Sequence, residues 1–340
     1  MAPTSTASQK LIVNCLPLLE DERAPFIEAA GDLEQVFVGD EAQRHNMAWR
    51  PHLPEQYRDR VTAIIGNAPA TEVAQCPNLE WMQTNSAGVG SYMAPGVLPE
   101  GCCLTSASGA YGVSVSEHML ALTLSLMKNI PLYRDHQADA DWHDEGSAAS
   151  PDGATVLVIG TGDIGSHYAI LMSALGAKTL GVRRDASKPA DGIQEMHGFN
   201  ELDELLPLAD VVALSVPSTP ETHHLVNAGR LNAMKETAIV VNAGRGTAID
   251  TDALTEALRA GSIRAAGIDV TDPEPLPAEH PLWKEPRCLI TPHVAGGMHL
   301  ETTPHKIFDI ACRNLTIYAG GTLPAKPLGA RYKAAGNGFD

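Results

Sequence analysis

A buried-strand pattern that runs directly into a glycine-rich turn constrains the fold of this chain more than any other feature. Thr155–Ile159 is aliphatic or β-branched without a break, as expected of a parallel strand buried on both faces. The turn GTGDIG follows, and an apolar helical pattern then covers residues 164–175. This order predicts a dinucleotide-binding fold. The predicted contact residues of the turn are Gly160, Thr161, Gly162, Asp163, Ile164 and Gly165.

Each glycine of the turn has a separate physical task. The first permits the tight turn, the second lets the backbone approach a pyrophosphate, and the third lets helix and strand pack closely. The N-terminus of the helix then directs free N–H groups and a positive dipole end at the phosphates. The spacing alone is a weak signal in a chain with 30 glycines. The preceding strand, the following helix and a second strand at Lys178–Val182 make it specific.

The end of that second strand predicts the choice of dinucleotide. Folds that prefer NAD place an acidic residue there, about 20 residues after the glycines, to accept a hydrogen bond from the ribose 2′-hydroxyl. This chain has Arg183 and Arg184 instead. Guanidinium groups bind a 2′-phosphate through charge-assisted hydrogen bonds. We therefore expect NADP to be preferred, with NAD possible. Arg183 is the main predicted determinant and Arg184 the secondary one. The alternative is that both are solvated or pair with Asp185.

The length of 340 residues favours two domains, because single cores rarely grow that large. Strands alternate with helices on both sides of the glycine turn, which predicts an α/β protein with parallel sheets. We expect two doubly wound parallel-sheet domains. A Rossmann dinucleotide-binding domain at residues 113–298 is inserted into a flavodoxin-like substrate domain, which is discontinuous and comprises residues 1–112 and 299–340. The tail from residue 321 is predicted to be irregular.

Helix signals complete the expected organisation. Residues 113–133 are mostly apolar and predict one long helix, followed by a polar surface connection at residues 134–152. A helix at residues 252–260 has Asp250 or Thr251 as its cap and Gly261 as its stop. Further helices are expected at residues 18–30 and 303–319.

Composition excludes several classes of partner. A net charge of −17 argues against nucleic acid and anionic membranes, whose phosphates would be repelled. No apolar run reaches membrane-spanning length, and the polar start predicts no secretory signal. The six cysteines show neither a CxxC nor a zinc spacing, so we expect free, mostly buried thiols in a reducing compartment, the cytoplasm.

Three loops at predicted strand ends carry residues that could do chemistry. Arg245 lies between two glycines, and its fork suits a substrate carboxylate. Glu274 lies between two prolines, and His293 follows the last strand. Considered singly, each could be structural: a turn-capping arginine, an idle exposed carboxylate, a packed histidine. The adjacent His223 and His224 have no apparent third ligand, so no metal site is predicted.

The order of the motifs along the chain resembles the D-isomer-specific 2-hydroxyacid dehydrogenase family. The resemblance rests on an AGV loop after the fourth strand, the VSEH helix start, GTGDIG, NAGRG, GIDV with Glu274 and TPHVAGG. It implies that backbone N–H groups of Ala87, Gly88 and Val89, together with Arg245, hold the substrate carboxylate. It also implies cofactor contacts by Val216, Pro217, Thr222, Asn242, Ala243, Gly244, Asp269 and Gly296.

The same resemblance implies the chemistry. His293 would give a proton to the keto oxygen as hydride arrives and remove it in reverse, since a histidine pKa of about 6.5 suits general acid–base work. Glu274 would favour the imidazolium and orient the ring. Asp269 would lie by the nicotinamide carboxamide, and His118 is interpreted as structural. The implied enzyme is an NAD(P)-dependent oxidoreductase and a homodimer.

The expected reaction is the reversible reduction of a 2-keto acid to the D-2-hydroxy acid. The substrate could be glyoxylate, hydroxypyruvate or a branched or aromatic keto acid. Its pocket is expected near Ser86, Ala110, Tyr111 and Trp283. A formate dehydrogenase has Gln in place of Glu274, and the longer phosphoglycerate dehydrogenases carry a regulatory domain, so both are set aside. The alternative from another class is a dinucleotide-sensing corepressor of the same fold without physiological turnover.

Overall fold

The computed structural model describes residues 10–46 and 48–324, in two compact units. Met1–Ala110 and Gly297–Asp340 form unit 1, and Tyr111–Gly296 forms unit 2. The polar start, and most of the tail that the sequence predicts to be irregular, lie outside the described residues. Within the described part, no helix is both long enough and apolar enough to cross a bilayer.

Twelve strands and ten α-helices are described. In chain order the strands are β1 (Leu11–Asn14), β2 (Glu34–Phe37), β3 (Val61–Ile65), β4 (Trp81–Gln83), β5 (Cys103–Thr105), β6 (Thr155–Ile159), β7 (Lys178–Val182), β8 (Glu195–His197), β9 (Val211–Leu214), β10 (Ile239–Asn242), β11 (Ala265–Ile268) and β12 (Cys288–Ile290). The helices are α1 (Arg23–Ala30), α2 (Glu55–Arg58), α3 (Ala70–Val73), α4 (Gly112–Met127), α5 (Ile130–Ala138), α6 (Asp163–Ala174), α7 (Leu202–Leu205), α8 (Ala228–Ala233), α9 (Thr251–Ala260) and α10 (Thr302–Ala319).

Unit 1 is built on a parallel five-stranded sheet with the order β2-β1-β3-β4-β5. This is the doubly wound order of flavodoxin-like folds. Every residue of β1 and β3 is buried, which explains why both strands are mostly apolar, with Asn14 and Thr62 as the polar exceptions. Helices α1 and α10 pack together through Phe26 and Phe308, whose ring centroids are 6.2 Å apart.

Unit 2 is built on a parallel seven-stranded sheet with the order β12-β11-β10-β9-β6-β7-β8. Counted from β6, this is the Rossmann order extended by one strand. Val156 and Val158 join the cluster under α4 and α6, whereas Leu157 and Ile159 join the cluster under α7, α8 and α9. Each such side chain contributes about 1.5–3 kcal/mol when fully buried. The predicted fold class is confirmed: two doubly wound parallel sheets, one of them Rossmann.

The long helix predicted at residues 113–133 is wrong as one element. Helix α4 ends at Met127, and α5 begins at Ile130. Asn129 between them is left-handed, with φ 55°. Pro131 has no N–H to donate to the carbonyl of Met127, so a continuous helix cannot run through it, whereas a proline is tolerated in the first turn of α5. The predicted helix at residues 18–30 is likewise shorter and begins at Arg23.

Other local predictions hold. Helix α9 is capped by the Asp250 side chain, which accepts a hydrogen bond from Ala253 N at 3.0 Å, and it stops at left-handed Gly261. The six cysteines are free, although only Cys15, Cys76 and Cys103 are fully buried. Burial raises the pKa of Cys288 to about 12, which keeps this thiol protonated and unreactive.

The two ends of unit 2 lie side by side. Near the start of α4, Ser114 Oγ donates a hydrogen bond to Ala295 O at 2.5 Å. At the other end of the segment, a Cβ added at Gly296 would lie 3.4 Å from the Tyr111 ring. The chain therefore enters and leaves unit 2 at adjacent points.

Candidate active site

The predicted cofactor and catalytic residues of unit 2 follow the carboxyl ends of its strands. Because all strands of the sheet are parallel, these ends share one edge, where open α/β sheets bind ligands. In strand order they are the turn after β6, Arg183 after β7, Val216 after β9, Asn242 at the end of β10, Asp269 after β11 and His293 after β12.

The glycines of the turn have the environments that their separate tasks require. Gly160 is left-handed, with φ 92°. A Cβ at Gly165 would collide with the carbonyl oxygen of Gly160, so only glycine lets α6 approach β6 this closely. A Cβ at Gly162 would meet no atom within 4 Å. The space before Gly162 is thus free for a ligand, and the N-terminus of α6 begins there.

Thr161 supplies a further indication of a ligand at this turn. Its side chain is only 4% exposed, yet Oγ1 has no hydrogen-bond partner among the described residues. Buried hydroxyls are rarely left unpaired. A phosphate at the N-terminus of α6 offers the missing acceptor, so the residues present fit a dinucleotide. The Asp163 carboxylate is used otherwise, since Oδ2 accepts from Tyr111 N at 3.2 Å.

The two arginines after β7 differ in their surroundings. Asp185, the alternative partner considered from the sequence, is held by Ser187 Oγ at 2.6 Å and by Lys188 at 3.2 Å. Neither Arg183 nor Arg184 forms an ion pair with a carboxylate in the described part of the chain. Arg184 is near Glu221: hydrogen bonds from the backbone of Glu221 and from Thr219 lower the pKa of Glu221, and the charge of Arg184 adds to this.

Two polar side chains shape the next loops. Thr222 Oγ1 donates to Pro217 O at 2.6 Å and accepts from Thr219 N at 2.9 Å, so it closes the loop after β9. Asn242 is fully buried. Its Oδ1 accepts from Gly244 N at 3.0 Å, and its Nδ2 donates to Arg245 O at 3.0 Å. Both residues therefore fix loop geometry from inside the protein.

Arg245 projects from a loop that is anchored on both sides. A Cβ at Gly244 would lie 2.8 Å from Val216 N, and one at Gly246 would collide with Thr271 O. Both glycines are thus required by close backbone approach. The Arg245 side chain is half-buried, and its Nη1 donates to Gly244 O at 2.6 Å. Among the described residues the guanidinium forms no other hydrogen bond, so its remaining donors are able to bind a carboxylate.

His293 and Glu274 form a direct pair. His293 Nδ1 lies 2.5 Å from Glu274 Oε1, and both side chains are about 40% exposed, at 40% and 42%. The contact occupies Nδ1 and leaves Nε2 for another molecule. His293 also has φ 54°. This left-handed conformation is uncommon for residues other than glycine, and such outliers cluster at functional sites.

A buried carboxylate holds the loop that carries His293. Asp269 is 2% exposed, and it accepts hydrogen bonds from Val294 N at 3.0 Å, Ala295 N at 3.1 Å and Thr291 Oγ1 at 2.6 Å. Its backbone oxygen accepts from His293 N at 2.8 Å. The side chain expected beside the nicotinamide is therefore the anchor of the His293 loop.

His118 belongs to the same network, which the sequence interpretation missed. Its Nε2 lies 2.9 Å from Thr291 Oγ1 and 3.7 Å from Asp269 Oδ1. His118 was interpreted as structural, and α4 brings it into contact with Thr291, which precedes His293. The one sequence signal was the apolar run around His118, because an imidazole that is only 24% exposed among apolar residues needs a polar partner.

The predicted substrate loop lies in unit 1, directly after β4. Ser86 Oγ donates to Gly88 O at 2.6 Å, and Thr84 Oγ1 donates to Ser86 O at 2.8 Å, so the loop is shaped by its own side chains. Val89 is buried. The N–H groups of Ala87 and Gly88 donate to no other group within the described ranges. Unpaired neighbouring N–H groups form a site for an anion.

Two smaller expectations concern side chains at the periphery. Trp283 is 47% exposed, and its Nε1 donates to Pro277 O at 2.9 Å. Asp272 is a possible third ligand beside His223 and His224, since its carboxylate lies within 4.8 Å of a nitrogen of each imidazole. A potential third ligand is therefore present in the structure, although none was apparent from the sequence.

The chain is similar to known proteins in both sequence and structure. Residues 120–295 match a family model described as the D-isomer specific 2-hydroxyacid dehydrogenase, NAD binding domain. A glyoxylate reductase of Thermofilum pendens is 31% identical over 288 residues, which cover 81% of this chain and 84% of the relative.

Two solved structures are similar over nearly the whole chain. A D-isomer specific 2-hydroxyacid dehydrogenase family protein from Aeromonas salmonicida has a TM-score of 0.77 at 29% identity, covering 94% of this chain and 98% of that one. A D-isomer specific 2-hydroxyacid dehydrogenase from Xanthobacter autotrophicus, in complex with NADPH and MES, has a TM-score of 0.76 at 26% identity, with the same coverage.

Proposed function

The chain belongs to the D-isomer specific 2-hydroxyacid dehydrogenase family, and on that premise we propose that it reduces small 2-keto acids of the glyoxylate and hydroxypyruvate type with NADPH. The products are the corresponding 2-hydroxy acids, of D configuration where the carbon becomes chiral. As a member of this family, the chain is an oxidoreductase that uses a nicotinamide dinucleotide. The individual residue roles, the substrate and the preference for NADPH are the proposal.

The His293–Glu274 pair is the observation that carries the proposal. A partly exposed imidazole with Nδ1 on a carboxylate at 2.5 Å presents Nε2 as a proton donor in a defined orientation. It lies at the same sheet edge as the glycine turn. A proton donor and a dinucleotide turn on one edge suit the reduction of a carbonyl.

When bound, the nicotinamide would supply a hydride for the keto carbon. His293 Nε2 gives its proton to the keto oxygen, and the ring takes that proton back when the reaction runs in reverse. Glu274 holds the ring in its orientation through the contact at Nδ1. Asp269 keeps the loop of His293 in place, with Thr291 and His118 behind it. Arg245 orients the substrate and polarises its carbonyl.

The substrate carboxylate is assigned to the loop of residues 87–89 and to Arg245. The N–H groups of Ala87 and Gly88 donate to no other group in the described part of the chain, and a guanidinium group offers several donors, so each of these groups is able to bind a carboxylate oxygen. A carboxylate beside the carbonyl is common to all 2-keto acids. Recognition at this point therefore selects the class and leaves the side chain of the acid to other residues.

NADPH is proposed over NADH because of the end of β7. An acidic residue there would repel a 2′-phosphate, whereas Arg183 has no carboxylate partner in the part of the chain that is described. The charge of Arg184 already interacts with Glu221, which supports a secondary contribution of Arg184 to binding of the 2′-phosphate. The family model is described for NAD, so the preference depends on these two arginines. We also expect a homodimer, which light scattering on the purified protein would measure.

A kinetic screen tests the proposed function. Initial rates would be measured with NADPH and NADH against glyoxylate, hydroxypyruvate, a branched keto acid and an aromatic one, and the configuration of the glycerate formed would be determined. We expect the highest kcat/KM with NADPH and a small keto acid, and D-glycerate as product. A protein that binds NADPH tightly but turns over none of these acids would favour the corepressor-type function instead.

A further inference from the structure

Three potential metal ligands meet in unit 2 away from the predicted catalytic residues. His136 lies near the end of α5, and His143 and Glu145 lie on the polar segment that follows. One donor atom from each is within 4.8 Å of the other two. His136 Nε2 is 2.5 Å from Glu145 Oε1, and His143 Nε2 is 4.0 Å from the same oxygen. We propose that His136, His143 and Glu145 form a Zn²⁺ site.

The donor distances suit a tetrahedral ion. Bonds of about 2.0–2.2 Å to imidazole nitrogen and carboxylate oxygen separate neighbouring ligand atoms by roughly 3.3 Å. The two distances to Glu145 Oε1 lie on either side of this value. A carboxylate movement of less than about 1 Å along its rotatable side chain equalises them. Two histidines and one carboxylate are a set that zinc binds, with one position left for water.

A second carboxylate lies beside the other nitrogen of the first imidazole. Asp141 Oδ2 lies 3.3 Å from His136 Nδ1. Metal-bound histidines commonly donate their other N–H to a carboxylate, which fixes the tautomer and makes the metal-facing nitrogen more basic. Asp141 leaves Nε2, the nitrogen beside Glu145, as the ligand atom.

The segment that carries the ligands is already folded onto α5. Asp141 N donates to His136 O at 2.9 Å. Tyr133 OH accepts from Glu145 N at 3.2 Å and donates to Asp144 Oδ1 at 3.3 Å. A site built in advance by such contacts costs little ordering on binding. The side chains are 27%, 54% and 23% exposed for His136, His143 and Glu145, so an ion can reach them.

The test is a titration of full-length, tag-free protein with Zn²⁺ after treatment with a chelator. Isothermal calorimetry would be performed on the wild type, His143→Gln and Glu145→Gln. The side chains of His143 and Glu145 are both partly exposed, so neither substitution should prevent folding. Circular dichroism would verify that each variant folds. We expect the wild type to bind one equivalent of Zn²⁺. Each variant should either fail to bind this equivalent or bind it at least tenfold more weakly. Saturating Zn²⁺ should also raise the wild-type Tm by about 2–5 °C, but not that of the variants.

Two control variants make the assignment specific. His223→Gln removes a ligand from the group formed with His224 and Asp272, and His52→Gln breaks a His–Glu contact of 2.6 Å with Glu72. Both should retain the equivalent that His143→Gln loses. Loss of that equivalent in His223→Gln instead, full binding by His143→Gln and Glu145→Gln, or no binding by the wild type at 100-fold excess over protein would each overturn the proposal.

Discussion

His293 combines a strained backbone with an exposed, oriented imidazole, and its contribution can be measured directly. With φ 54°, the residue lies where side chains are rarely found, and Asp269 holds its loop in that conformation. We expect His293→Ala to lower kcat about 10²–10⁴-fold, the usual effect of losing a general acid–base. The affinity for NADPH should barely change, because the dinucleotide turn lies on β6 and α6.

A matched control is His52→Ala in unit 1, where Nδ1 also contacts a glutamate, at 2.6 Å. Its kcat should equal that of the wild type. Steady-state kinetics and NADPH fluorescence titrations measure both quantities. A His293→Ala variant with near wild-type kcat would remove this residue from the mechanism.

For Arg245, the geometry of the guanidinium matters as well as its charge. Arg245→Ala should raise KM and lower kcat, because the substrate is then neither held nor polarised. Arg245→Lys should restore only part of kcat/KM, since an ammonium group cannot form two parallel hydrogen bonds. The control is Arg259→Lys on α9, which leaves kinetics unchanged. Full recovery by Arg245→Lys would show that a point charge suffices.

Arg183 can be tested through cofactor choice. Charge-assisted hydrogen bonds of about 1.5–3 kcal/mol correspond to a preference for NADPH of roughly ten- to a hundredfold in kcat/KM. Arg183→Ala should abolish most of this preference by weakening NADPH use and leaving NADH use intact. Arg184→Ala should have a smaller effect on this preference, because the charge of Arg184 already interacts with Glu221. A wild type that favours NADH, or an unchanged preference in Arg183→Ala, contradicts the assignment.

At the scale of elements, two glycines of the turn between β6 and α6 have different roles: Gly165 is important for stability and Gly162 for ligand binding. Gly165→Ala would force a methyl group against Gly160 O and toward Ser215 Oγ, 2.9 Å away. Overpacking of this kind costs about 1–3 kcal/mol. Gly162→Ala meets no atom within 4 Å, so its stability should change by less than about 0.5 kcal/mol.

Gly162→Ala is expected to weaken binding of the dinucleotide although it leaves stability nearly unchanged. The methyl group of Gly162→Ala would occupy the space through which a pyrophosphate approaches, so NADPH affinity should fall at least about tenfold, or 1.4 kcal/mol. Urea unfolding and NADPH titration measure the two properties separately. Equal losses of stability in both variants would contradict the distinct tasks assigned to the glycines.

Across the whole molecule, the sequence predicted features that are encoded within a few residues. The strands Thr155–Ile159 and Lys178–Val182, the glycine turn and the α9 caps were predicted because each has its own local signal. The edge strand β8 was missed because its residues Glu195, Met196 and His197 show no alternation or apolar run.

Features that depend on distant residues could not be predicted. The contact of His118 with Thr291 joins positions 173 residues apart, and nothing local to either residue specifies it. The engagement of Asp269 by Val294 N and Ala295 N depends on how the chain turns after β12. The ligand group of His136, His143 and Glu145 likewise requires the polar segment to fold back on α5, which its composition does not indicate.

The adjacency of the two ends of unit 2, tied by Ser114 and Ala295, makes this segment portable. A continuous stretch whose termini meet can be cut out of a gene and expressed alone, or placed into another host protein, without leaving a gap to span. We expect residues 111–296 by themselves to fold and to bind NADPH with nearly the affinity of the full chain. They should reduce no keto acid, because residues 87–89 belong to unit 1 and are absent from this fragment.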